Sequence, residues 1–326
     1  MKVLAVGAAG SSAGLVVAAL ARRGIEVRGL VHAPAKQGAA TRNGAIETVV
    51  ADLQDRDALA RAVEGVDGVF HIIPAFAPDE AGMGTALVEV AADASISRFV
   101  FSSVYHPSLT DLSNHAAKQP AEQALYNSEM DFVILQPAMF MSQLSAAVAS
   151  AKRTGVIAGP YSVQSRMSYV DYRDVAEVAA ESFVNDRFSG GSFELAAPGM
   201  FSRVDLAGLL GETLGREVRA EQSPPPAEDG AGMPPAMASG LRRMLQHYDD
   251  HGFHGGNALV LTTMLGHDPR PFPDTSPKWR HDEHGSQHHG PQHVDDRGRR
   301  WREASRRRWY PPAGRRRWRV RRRRQL

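Results

Sequence analysis

The chain contains no cysteine. That excludes a disulfide framework, thiolate-ligated zinc, iron–sulfur clusters and a thiol nucleophile. It also lacks any apolar run near the roughly 18 residues that a membrane span requires. Aromatic residues make up only 7% of the chain, and no tryptophan occurs before Trp279. The formal net charge of +2 is unevenly spread: residues 1–273 carry 21 Lys and Arg against 30 Asp and Glu, and residues 274–326 carry 17 against 6. An acidic body is thus followed by a strongly basic segment without Ile, Phe or Met. The body suffices for one large domain, or a domain with a lobe, at roughly 100–200 residues per domain. The N-terminus enters a strand pattern with no signal-peptide cleavage region, so a cytoplasmic protein without membrane association is expected.

What is present alternates. Val3-Leu4-Ala5-Val6 is wholly apolar and ends in a glycine turn, as a strand buried on both faces does. Further strands are expected at residues 26–31, 46–50, 69–73, 99–102 and 132–135. Helices are expected at 12–23, after an Asp55 cap, at 84–92 and at about 121–127. This alternation predicts an α/β fold with a parallel, doubly wound sheet over residues 1–136. From residue 137 to 273 the rhythm loosens into a small mixed C-terminal substrate lobe. It includes a helix entry at 171–174, a strand at 192–195, helices at 204–214 and 241–248, and a Pro/Gly-rich loop between those helices. Residues 274–326 read as a disordered low-complexity tail.

Gly7-Ala8-Ala9-Gly10-Ser11-Ser12-Ala13 joins the first strand to the first helix. Gly7 suits a tight turn, and Gly10 lets backbone approach a pyrophosphate. Ala13 keeps helix and strand close, and Ser11 and Ser12 begin a helix whose N–H groups face an anion. The second strand ends in Val31-His32 with Lys36 nearby and no acid. A cation there accommodates a ribose 2′-phosphate, so NADP(H) is favoured, with NAD(H) as the alternative. Asp52 and Leu53, after the third strand, offer an acceptor and an apolar wall to adenine. Ile73 and Pro74 end the fourth strand beside the expected cofactor. His71, inside that strand, reads as a satisfied core histidine.

With the glycine loop and Ala51-Asp52-Leu53 stand Phe101-Ser102-Ser103-Val104, Asn114-His115-Ala116-Ala117-Lys118 with Glu122, Leu135-Gln136-Pro137-Ala138-Met139-Phe140 and Ser168-Tyr169-Val170-Asp171. Together they resemble the NmrA-like group of atypical short-chain dehydrogenases/reductases over residues 1–272. The resemblance implies an NAD(P)-binding Rossmann domain and a lobe that closes a substrate cleft. It also implies a Tyr-x-x-x-Lys pair in which lysine holds the nicotinamide ribose and tyrosine moves a proton. Lys118 matches the lysine, but Asn114 stands at the tyrosine position, and an amide does no acid–base work near neutral pH. The nearest ionisable substitutes are His115, His106 and Tyr105, and Ser102 or Ser103 could orient a carbonyl. Met139, Phe140, Met141 and Tyr169 suggest an apolar wall. Two function classes follow: an NAD(P)H-dependent reductase of a small apolar or quinone-like acceptor, or a non-catalytic NADP(H) redox sensor acting through a protein partner. No metal is expected, and the oligomeric state is open.

The tail interleaves arginine clusters with Trp301, Trp309 and Trp318. Three readings stay open: nucleic-acid contact through this segment alone, stray metal capture by its histidines, or out-of-frame translation of GC-rich DNA.

The absent acid after the second strand, with His32 and Lys36 in its place, predicts tighter binding of NADPH than of NADH. Titration of intrinsic or nicotinamide fluorescence measures both dissociation constants, and a lower value for NADH would reverse the assignment.

Overall fold

The computed structural model describes residues 1–225 and 234–271, all within one compact unit, Met1–Thr275. The strands are β1 (Lys2–Val6), β2 (Glu26–Val31), β3 (Glu47–Val50), β4 (Gly68–Ile72), β5 (Arg98–Ser102), β6 (Asp131–Pro137), β7 (Met139–Phe140), β8 (Val156–Gly159), β9 (Met167–Val170), β10 (Gly191–Leu195), β11 (Met200–Phe201) and β12 (Arg219–Gln222). The helices are α1 (Ala13–Arg22), α2 (Gln37–Arg42), α3 (Arg56–Val63), α4 (Glu80–Asp93), α5 (Ser113–Ala116), α6 (Gln119–Tyr126), α7 (Ser145–Thr154), α8 (Tyr172–Glu181), α9 (Arg203–Leu214), α10 (Pro235–His251) and α11 (Leu259–Leu265). No helix among the described residues is long and apolar enough to cross a membrane.

Seven parallel strands form the main sheet in the order β10-β6-β5-β4-β1-β2-β3. The α/β, doubly wound sheet is therefore as expected. Helices cover both of its faces, α1 packing against α8, and α4 against α3 and α6. Val3, Ala5, Phe70 and Val100 feed one apolar layer, and Leu4, Val69, Phe99 and Phe101 the other. This two-sided burial is why β1 and the middle of β5 read as apolar runs, and β4 as one broken only by the buried His71. A three-stranded sheet, β11-β9-β7, and the pair β12-β8 make up the smaller lobe.

Several boundaries differ from expectation. The strand expected at 192–195 within the lobe is β10, an edge strand of the main sheet, paired in parallel with β6 from Gly191↔Val133. The chain thus returns to the first layer after residue 137. The helix expected at 84–92 starts earlier, at Glu80, where Asp79 caps it by accepting from the Gly82 N–H. The helix expected at 241–248 spans Pro235–His251, with proline in its first turn, a position that needs no N–H. The sequence reading missed α7 and α11. The second is seven residues of Leu, Val, Thr and Met with no side-chain cap, a composition that gives little local signal. The tail expectations, residues 274–326, lie outside the described residues.

Two polar clamps hold the outer parts. Arg98, at the start of β5, is 7% exposed. It donates to the Ser182 carbonyl at 2.6 Å and to Asp186 at 2.7 Å, and it pairs with Asp131 at the start of β6. This knot ties the turn before β10 to the sheet. On the other side Asp174 of α8, fully buried, accepts from the Arg270 backbone N–H at 2.8 Å and pairs with its guanidinium, while His267 meets Glu177 at 3.0 Å.

Arg98→Ala should lower unfolding free energy by roughly 3 kcal/mol, the low end for breaking a buried pair, because water still reaches Asp131 and Asp186. Arg98→Lys should restore only part, since an ammonium cannot reproduce the planar fork. Urea denaturation midpoints check both.

Candidate active site

The strand order reverses between β1 and β4, and the crevice beyond their carboxyl ends is where open α/β sheets bind ligands. Gly7 leaves β1 at φ 70°, a left-handed conformation costly for any side chain. The Gly10 N–H donates to the Gly7 carbonyl at 2.7 Å, and a Cβ at Gly10 would lie 3.1 Å from that oxygen. Ser12 caps α1 without a side-chain hydrogen bond, and the first turn holds no acid, so the helix N-terminus is left for an anion. Ser11 beside it is exposed, and Ala13 is buried. Asn43 supports this loop by donating from Nδ2 to the Ala8 carbonyl at 2.9 Å. It approaches so closely that a Cβ at Gly14 would sit 2.4 Å from Nδ2. Nothing local in the sequence marks Asn43 for that role.

Around the crevice the expected contacts lie at strand ends. His32 and Lys36 are both exposed, the latter in a short turn after β2. Asp52 is exposed and its Oδ1 accepts from the Gln54 N–H at 3.0 Å; Leu53 behind it is buried. Ile73 is buried and Pro74 exposed at the end of β4.

Lys118 is 5% exposed. Its Nζ lies 2.5 Å from Glu80 Oε1 and donates to the Ile73 carbonyl at 3.2 Å. Burial pulls the ammonium below the usual lysine range, and Glu80 opposes that pull. Glu80 was not anticipated: it reads locally as one more acid in a helix first turn, and lies far from Lys118 in sequence.

The candidate proton donors are spoken for. Asn114 is buried; its Oδ1 has no hydrogen-bond partner, and its Nδ2 faces Met244 Sδ at 3.9 Å. His115 is buried, with Nδ1 3.1 Å from the His106 carbonyl, and burial lowers its pKa to about 4. It is therefore a neutral imidazole whose Nδ1–H is donated to backbone. Ser103 donates to Glu122 Oε1 at 2.5 Å, the oxygen that also accepts from Gln136 at 2.9 Å. Its proton is thus directed away from any substrate. Ser102 Oγ meets the Tyr172 hydroxyl at 2.9 Å. His106 stands between Glu194, at 2.7 Å, and the His254 carbonyl, at 2.8 Å. Tyr105 packs its ring 4.0 Å from that of His106, and burial raises its phenol to about 12. Met139 and Phe140 are half-buried, and Phe140 meets the Tyr172 ring at 4.5 Å. Met141 and Tyr169 are buried, and burial raises the Tyr169 phenol well above its usual value. His71 is fully buried, but it is not a satisfied histidine: neither ring nitrogen has a hydrogen-bond partner, and it lies against Phe99 and Phe101.

Comparison with known proteins adds four findings. Residues 1–271 match the NmrA-like family model. An NAD(P)H azoreductase of Xenophilus azovorans is 27% identical over 250 residues, covering 74% of this chain and 85% of its own. A (4-alkanoyl-5-oxo-2,5-dihydrofuran-3-yl)methyl phosphate reductase of Streptomyces griseus subsp. griseus is 28% identical over 284 residues, covering 84% and 96%. In fold, the NADPH complex of an NADPH-dependent quinone oxidoreductase from Escherichia coli superposes with a TM-score of 0.71 at 21% identity, covering 83% and 96%.

The two buried histidines make stability fall with acid. Both have folded pKa values below the ordinary 6.5, about 3 for His71 and about 4 for His115. Protons therefore favour the unfolded chain as pH drops below 6.5, and the loss levels off below those folded values. At pH 5 each should have removed roughly 2 kcal/mol relative to pH 7. Denaturant melts at the two pH values should show a smaller drop in His71→Leu than in the parent, and an unchanged drop would refute the assignment.

Proposed function

Because the chain belongs to the NmrA-like family, matching its model over residues 1–271, we propose that it is a cytoplasmic NADPH-dependent reductase of a small conjugated acceptor such as a quinone. The reading draws support from the two curated relatives, named as reductases of an azo compound and of an alkanoyl-oxo-dihydrofuran phosphate, both conjugated acceptors. The residues present fit a dinucleotide, since a Cβ at Gly10 would crowd the Gly7 carbonyl and α1 keeps an uncapped N-terminus. Gly7, Gly10, Ser11, Ser12 and Ala13 would hold the pyrophosphate. His32 and Lys36 would meet the 2′-phosphate, and Asp52 and Leu53 the adenine. Lys118, with Ile73 and Pro74, would hold the nicotinamide end. When bound, NADPH supplies a hydride.

One observation carries the choice of acceptor: at the tyrosine position Asn114 cannot titrate, His115 is a neutral imidazole bonded to backbone, and the Ser103 proton is taken by Glu122. Reducing an ordinary ketone creates an alkoxide, which needs an acid within about 3 Å. A quinone yields an oxygen of far lower basicity that water protonates. Asn114 cannot titrate, and its Oδ1 is buried without a hydrogen-bond partner. Met139 and Phe140 give the acceptor an apolar wall.

Small quinones should be reduced with NADPH at least about 100-fold faster, by kcat/KM, than cyclohexanone or acetophenone, the minimum usually supplied by general acid assistance. Lys118→Met should raise the NADPH dissociation constant. Ketone reduction matching quinone reduction would overturn the acceptor assignment. NADPH binding without turnover of any acceptor would point instead to a redox sensor working through a protein partner.

A further inference from the structure

Glu80 enters neither the glycine loop nor the Tyr-x-x-x-Lys pattern, yet it is 5% exposed and meets Lys118. Its two oxygens do different things. Oε1 lies 2.5 Å from Lys118 Nζ, and Oε2 accepts the Phe76 backbone N–H at 2.7 Å. Phe76 sits at φ 60°, in the left-handed region that non-glycine residues avoid. Its ring is wedged beneath α10, since a Cβ at Gly240 would fall 2.8 Å from it and 2.7 Å from Ser113 Oγ. The carboxylate is therefore anchored at one oxygen, which fixes the other against the ammonium.

We propose that Glu80 is the positioning residue that keeps the Lys118 ammonium charged and aimed, and so sets the pH range over which the chain holds its dinucleotide. The proposal rests on the reading of Lys118 as a cofactor contact. A lysine this buried loses its proton readily unless an acid faces it. The neighbouring titratable groups do not supply that acid. His71 on β4 and His115 on α5 are bases, kept neutral by burial. Glu122 on α6, one turn beyond Lys118, already accepts from Ser103 and Gln136. An ammonium has three donors. The Ile73 carbonyl takes one and Glu80 Oε1 faces the charge at ion-pair distance, so a donor remains for a ribose hydroxyl.

The test uses the full chain with lysine labelled with ¹³C at Cε. There are five lysines, Lys2, Lys36, Lys118, Lys152 and Lys278, and Lys118→Met identifies the resonance of interest. In the parent protein Lys118 should stay protonated to higher pH than in Glu80→Gln, where its titration midpoint moves down. NADPH titrations of the same proteins should then diverge with pH. Between pH 6.5 and pH 9 the dissociation constant should rise more in Glu80→Gln than in the parent, by up to about tenfold for a midpoint lower by one unit. Glu80→Asp, which keeps the charge but withdraws it by one methylene, should fall between the two. A Lys118 midpoint that is the same in the parent and in both variants overturns the proposal. If the midpoint moves but Lys118→Met binds NADPH as the parent does, the cofactor assignment of Lys118 fails while its dependence on Glu80 stands.

Discussion

A strand buried on both faces can present polar chemistry only at its ends. β1, β4 and β5 are apolar through their middles and covered by helices on either side, so working groups must collect where strands give way to loops. Gly7 follows β1, His32 follows β2, Asp52 follows β3, Ile73 and Pro74 follow β4, and Ser103 follows β5. Because all seven strands run parallel, these positions share one edge of the sheet, and the reversal of strand order at β1 and β4 opens that edge into a crevice.

Within that crevice hydrogen-bond satisfaction governs the chemistry. Ser103, Glu122 and Gln136 close a buried set among themselves, and His115 binds the His106 carbonyl. His106 is in turn held by Glu194 and the His254 carbonyl. Groups that look reactive in isolation thus become a rigid frame. What remains without a hydrogen-bond partner is the buried amide oxygen of Asn114, while Lys118 donates to the Ile73 carbonyl and faces Glu80.

The legible parts of the fold were local. The alternation of apolar runs with helical stretches announced six of the seven sheet strands, and the Gly7–Ala13 loop announced the helix that receives an anion. The seventh strand, β10, was visible as a strand but not as part of the main sheet, because its partner β6 lies more than fifty residues earlier and the knot that docks it centres on Arg98. Asn43 and Glu80 escaped for the same reason: each acts on a residue distant in sequence, and neither occupies a patterned position. His71 failed differently. Its apolar neighbours correctly implied burial, but not that burial leaves both ring nitrogens without a partner.

The Lys118–Glu80 pair has a consequence for durability. Quinones are electrophiles that arylate thiolates and free amines, and enzymes handling them risk modifying themselves at each turnover. This chain carries no cysteine to offer a thiolate. The amine nearest the proposed chemistry is buried and lies 2.5 Å from a carboxylate, whose charge opposes the loss of a proton that burial favours. An acceptor beside Lys118 therefore meets an amine whose proton Glu80 helps to hold.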